Sequence, residues 1–189
     1  TVLGAMLTGM PAPFSAIQLL WINIIMDGPP AMTLGVEPAR PGIMRDRPRD
    51  QAAEILTLNR LGRLALYGIT MMLGTLWLFQ QGQALGQTYA LTLAFTTFVL
   101  FQFFNVFNAR NEHGSAFNAH FLRNGKLWLA LFGVLAMQVV VVHWAPAQAI
   151  FGTTALSLAD WLQAALVASS VLLLDEARKL ALRLFRRAD

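Results

Sequence analysis

An all-α, polytopic transmembrane helix bundle is the fold class this sequence predicts, with five full spans plus a partial N-terminal helix. Three observations predict it. Of 189 residues, 56% are hydrophobic and only 13% are charged, where soluble domains carry about 25% charge; mean hydropathy is +0.53. Several apolar runs approach or exceed the roughly 18 residues that mark a membrane span. All fourteen Lys and Arg residues fall on alternate connections between those runs. Cys is absent, which removes a disulfide framework and thiolate metal ligation. The net charge of +4 is distributed for membrane orientation, so the lipid bilayer is the expected partner and nucleic acid is not.

Residues 1–10, "TVLGAMLTGM", make only half a span at about 1.5 Å rise per residue. They lack an initial Met, a basic n-region and a small-residue cleavage site, so they read as the second half of a helix rather than a signal peptide. Pro11 and Pro13 end that helix. Residues 15–35 are the first full span. Residues 36–60 carry Arg40, Arg45, Arg47 and Arg49 with Pro38, Pro41 and Pro48 and no apolar period, which predicts a cytosolic loop. Residues 61–79 are the next span, ended by the polar "QQGQALGQT". Residues 89–107 follow, then the loop "NARNEHGSAFNAHFLRNGK". Residues 127–142 are apolar, and "HWAPAQAIFGTTALSLAD" reads as a loop with Trp144 and Pro146 near the interface. Residues 161–180 are the last span, running into the basic, amphipathic end of the chain. Lys and Arg occupy 40–63, 110–126 and 178–187 and are missing from 11–14, 80–88 and 143–160. The positive-inside rule then places the 36–60 loop, the 108–126 loop and the C-terminus in the cytoplasm.

Within the first full span lies "LLWINIIMDGPPAM", where Asp27 interrupts an apolar run. An intramembrane carboxylate costs about 2.5–3.5 kcal/mol on insertion scales, so it calls for a partner or a function. Asn23 lies four residues earlier on the same helical face. Gly28, Pro29 and Pro30 then break the helix. The prolines have no N–H to offer the carbonyls of Ile25 and Met26, and a freed carbonyl in hydrocarbon must find protein, water or an ion. Transporters commonly coordinate cations at such interruptions. Asn23 and Asp27 are therefore candidate metal ligands, with Ile25 and Met26 as further ligands or pathway residues. Ca²⁺ takes about six to eight oxygens, of which this chain would supply about three or four. Two alternatives stay open: a Pro-kinked helix whose Asp27 bonds a neighbouring span, and a proton relay through Asp27.

Gln102 and Asn105, three residues apart in another span, form a second candidate pair, for which interhelical hydrogen bonding is the plainer reading. Met26 and Met32 have no Cys or Met cluster beside them to make a copper site and are expected to pack. His113, His120 and His143 lack a chelating partner at useful spacing. Asp175, Glu176, Arg178 and Lys179 read as an interfacial charge cluster anchoring the last helix. No phosphate-binding loop, Ser/His/Asp arrangement or metal-hydrolase His pair occurs, so no catalytic residue is expected in this chain.

"LLWINIIMDGPPAMTLGVEP" with "IMRDRPR" resembles the sixth membrane helix and following loop of calcium-transporting P-type ATPases, above all the secretory-pathway calcium/manganese pumps and their bacterial relatives. "TFVLFQFFNVFNAR" is similar to the eighth helix, "FLRNGKLW" to the start of the ninth and "LLLDEARKL" to the tenth. The resemblance covers essentially residues 1–189 and implies the C-terminal membrane domain, from the end of helix five to helix ten. It implies Ca²⁺ export driven by ATP through an aspartyl-phosphate. ATP and Mg²⁺ would act through cytosolic domains outside this chain. The implied partners are the remainder of the same ATPase, helices one to five and its cytosolic domains, and the implied location is a bacterial plasma membrane. Asn23 and Asp27 match the family's sixth-helix ligands. The two-site pumps of the sarcoplasmic reticulum have a Thr before that Asp and a Glu on helix eight. Here those places hold Met26 and Gln102, which implies one Ca²⁺ per cycle. The secretory-pathway pumps usually carry Gln at the place of Met32 and an acid at that of Gln102, which leaves Ca²⁺ the expected ion and Mn²⁺ the alternative. A proton or other monovalent cation pump or carrier, and a purely structural membrane bundle, are the competing readings.

Overall fold

The computed structural model describes residues 1–36, 57–110 and 124–188. Most of the expected 36–60 loop, the middle of the 108–126 loop, His113 and His120 lie outside these residues. All regular structure among the described residues is helical: α1 (Val2–Leu7), α2 (Ala16–Trp21), a π turn (Ile22–Met26), α3 (Gly28–Gly35), α4 (Leu58–Gly82), α5 (Gln87–Arg110), α6 (Gly125–His143), α7 (Ala145–Phe151) and α8 (Leu158–Ala188). Four of these are long and apolar enough to cross a membrane: α4, α5, α6 and α8. The chain is a polytopic helical membrane protein. The 15–35 segment, expected as a further span, is divided into α2, the π turn and α3 and forms no single continuous helix.

α5 is the central helix. In its most apolar window 61% of residues are buried, against 28–33% in the other three, so its sides face protein while theirs largely face outward. Leu93, Leu100 and Phe101 of α5 pack with Tyr67, Met71 and Leu78 of α4 and with Ala164, Ala168 and Val171 of α8. On another side Phe95 and Val99 meet Ile22 and Met26 of the π turn and Val134 and Val141 of α6. The turn from α4 to α5 is tight: a Cβ on Gly82 would stand 2.8 Å from the Cα of Ala90. Backbone cannot yield there as a flexible side chain would, so any larger residue at Gly82 pries the two helices apart.

Local sequence sets the helix ends. Ser15 Oγ accepts the Gln18 N–H at 3.4 Å while Gln18 Oε1 accepts the Ser15 N–H at 3.1 Å, a reciprocal cap that starts α2. Asn124 caps α6 by accepting the Leu127 N–H at 3.0 Å. One expectation is corrected: the 143–160 connection contains α7, which begins with Pro146 in its first turn and stops at Gly152 in the left-handed region, φ 61°. In the charge cluster of the last helix, Asp175 and Lys179 pack inside the protein while Glu176 and Arg178 stay partly exposed. Asp175 is 0% and Lys179 4% exposed. Asp175 accepts a hydrogen bond from the Tyr67 hydroxyl of α4, ion-pairs with Arg178 at 2.7 Å and meets Lys179 Nζ at 2.8 Å. Those donors replace water, which makes burial of the charge tolerable.

Candidate cation site

The break at Asp27 is a widened turn, not an unravelled strand. The Asp27 N–H donates to the carbonyl of Ile22, five residues back, at 3.1 Å, and the Ile22–Met26 backbone follows π geometry. Single π turns of this kind gather at functional sites because the extra residue rotates side chains off the regular α stripe. α3 restarts at Gly28 with Pro29 and Pro30 in its first turn, where a helix does not need their missing N–H groups. The residues before them do feel the loss. The carbonyl of Ile25 would look to residue 29 for an α bond and to residue 30 for a π bond, and neither has a hydrogen to give.

Three of the polar residues singled out in the sequence come together here. Asn23, Asp27 and Gln102 line one cavity of about 190 Å³, with Phe14, Ile22 and Phe98 among its apolar walls. Gln102 Nε2 of α5 donates to Asp27 Oδ1 at 3.2 Å, and the rings of Phe14 and Phe98 meet edge to face at 5.4 Å. A water's share of liquid volume is about 30 Å³, so the space admits a cation with part of its hydration shell. Asn23 and Asp27 are exposed along the open side of this segment.

The other candidates are placed elsewhere. Met26 is 1% exposed, packed in the apolar cluster with Phe79, Phe95 and Val99, and does not line the cavity. Ile25 packs against the same cluster. Asn105 accepts from Asn108 Nδ2 at 3.4 Å, one turn beyond Gln102, and does not line the cavity. Met32 is 77% exposed. His143 accepts the Trp161 indole N–H at 3.2 Å.

Chemically the residues lining the cavity carry hard oxygen donors: the Asp27 carboxylate, the Asn23 and Gln102 amides and the Thr1 hydroxyl. Among the described residues no group of three or more His, Cys, Asp or Glu is gathered. The set suits a cation that shares its oxygens among several helices. Sequence reasoning missed the polar residues that seat the segment. Gln18 is fully buried and donates to the Phe151 carbonyl at 3.1 Å, and Trp21 donates to Gln138 of α6 at 3.1 Å. The signal was present, since Gln138 is a lone amide in an apolar run.

Comparison with known proteins gives the family. The family described as Cation transporting ATPase, C-terminus, matches residues 11–181. The human calcium-transporting ATPase type 2C member 1 is 36% identical over 174 residues, covering 91% of this chain and 19% of the human protein. Mouse calcium-transporting ATPase type 2C member 2 is 37% identical over 184 residues, covering 95% of this chain and 19% of its own length. Calcium-transporting ATPase 1 of Saccharomyces cerevisiae is 38% identical over 174 residues, covering 90% and 18%. The chain thus spans about a fifth of the length of these relatives. With the match reaching across nearly all of its helices, the chain belongs to the cation transporting ATPase, C-terminus family.

Proposed function

We propose that this chain supplies part of the ion site of an ATP-driven calcium efflux pump that carries one Ca²⁺ per cycle. The observation that carries the reading is the meeting of Asn23, Asp27 and Gln102 on one cavity at a π turn. Ca²⁺ would take the Asp27 carboxylate, the Asn23 amide oxygen and a backbone carbonyl such as that of Ile25, with the remaining oxygens coming from other helices of the same ATPase. Gln102 turns its N–H toward Asp27; presenting its oxygen to a cation requires the amide to rotate away from that bond. Met26 places no oxygen-bearing side chain in the cavity, which supports a single ion.

ATP and Mg²⁺ would act in cytosolic domains of the parent protein, whose aspartyl-phosphate drives the ion step. The alternation of basic residues supports a cytoplasmic 36–60 loop and C-terminus. The named relatives come from mammals and yeast, so a bacterial plasma membrane rests on the sequence likeness alone.

Uptake of radiolabelled Ca²⁺ into sealed vesicles carrying the intact protein tests the proposal. Uptake is expected to require ATP and Mg²⁺ and to saturate with a Hill coefficient of about 1. Competition by Mn²⁺ at matching concentrations would extend the substrate range to manganese. Cation flux without ATP, or proton movement without Ca²⁺, would replace the pump by a carrier or a proton pump.

A further inference from the structure

α6 runs unbroken from Gly125 to His143 beside the broken segment and grips it on both sides of the break. Ahead of the break, the Trp21 indole N–H donates to Gln138 Oε1 at 3.1 Å, and Gln138 Nε2 donates onward to the Thr96 hydroxyl of α5 at 3.4 Å. Beyond it, Asn124 Nδ2 donates to the Thr33 carbonyl of α3 at 3.1 Å. Gln138 and Thr96 are fully buried and Asn124 is nearly so. At about 1.5 Å per residue, Trp21 and Thr33 would stand about 18 Å apart along a helix, and Asn124 and Gln138 about 21 Å. The two spans therefore match, end to opposite end. A continuous helix is laid alongside a discontinuous one.

The match matters because the two prolines withhold donors from the backbone bonds that would otherwise help fix the bend between α2 and α3. Something outside the segment has to fix it. Polar links inside an apolar bundle suit that task, since opening them strands donors and acceptors away from water. Neither Gln138 nor Asn124 lines the cavity. We propose that α6 is a splint for the cation-site helix, and that Gln138 and Asn124 are positioning residues that set the span across the break and so the placement of Asn23 and Asp27. This inference rests on the cation-site reading above.

The test measures Ca²⁺-dependent phosphorylation by ATP in the intact pump. Gln138→Leu removes the acceptor for Trp21, Trp21→Phe removes the donor and keeps a ring, and Asn124→Asp keeps the α6 cap while removing the N–H given to Thr33. Each is expected to raise the half-saturating Ca²⁺ concentration about five-fold, the size of one buried hydrogen bond, with the maximal level retained. Trp21→Phe with Gln138→Leu should not exceed Gln138→Leu alone, because that exchange already deletes the Trp21 bond along with the one to Thr96. Unchanged half-saturation in the single variants, or an additive double, overturns the splint. If Gln138→Leu fails to fold, Trp21→Phe and Asn124→Asp decide alone, and native half-saturation in both overturns it. Asp27→Asn separates the two layers. Native Ca²⁺ dependence in that variant fells the cation-site reading, whereas its loss beside unaffected splint variants fells only the splint.

Discussion

Exchanging Asp27 for Asn is expected to abolish the Ca²⁺-dependent phosphorylation by ATP proposed for the intact protein. The exchange keeps the size of the side chain and one of its oxygens, so it changes charge and little else. That charge is the only formal negative charge among Asn23, Asp27 and Gln102, the polar side chains brought to the cavity from the π turn and α5. Two unit charges at 4 Å attract by about 4 kcal/mol at an effective dielectric of about 20, and a divalent ion in contact feels more. Losing even that amount weakens binding about a thousand-fold. Phosphorylation by labelled ATP, followed across a Ca²⁺ titration, reads the result, and an unaltered titration would remove Asp27 from the ion site.

The second large effect lies away from the cavity, between α4 and α8. Asp175→Leu takes the shared acceptor from three donors: the Tyr67 hydroxyl, the Arg178 guanidinium and the buried Lys179 ammonium, which keeps Glu176 at 3.1 Å. Breaking a buried pair from one side costs about 3–5 kcal/mol when the surviving charge stays out of water, and the pair Lys179 retains with Glu176 puts the loss at the lower end. Arg178 can extend toward the surface, since its side chain is 27% exposed, but Lys179 at 4% has little such freedom. The triple exchange Tyr67→Phe, Asp175→Leu, Lys179→Met is expected to recover most of the loss, as apolar groups of similar volume fill the same space. Unfolding of the purified intact protein in detergent measures both. A single exchange as mild as a surface substitution, or a triple no better than the single, would contradict the buried-charge account.

Apolar length located the long helices because a membrane demands little else of them. Periodicity could not reveal what happens at Asp27. Two prolines announce an interruption, but whether the chain unwinds or widens into a π turn depends on how Ile22 and Met26 dock against Phe95 and Val99 of α5. The partnership of Asp27 with Gln102 joins residues 75 apart in sequence. Nothing in the local pattern around Gln102 points at it. The partner of Asp175 was hidden for a related reason. Its charged neighbours lie within four residues, while the hydroxyl that bonds it comes from Tyr67, 108 residues earlier. The α7 helix escaped notice because seven residues are too few to show a period, and Pro146 reads as a loop signal unless it falls in a first turn.

The central claim is that a cation is held where the π turn faces α5. A structure of the intact protein with Ca²⁺ bound tests it most directly. The account predicts the ion within about 2.3–2.6 Å of the Asp27 carboxylate and the Asn23 amide oxygen, the π turn kept, and Gln102 released from Asp27. An ion bound elsewhere, with Gln102 still donating to Asp27 and the cavity filled by water or side chains, would contradict it.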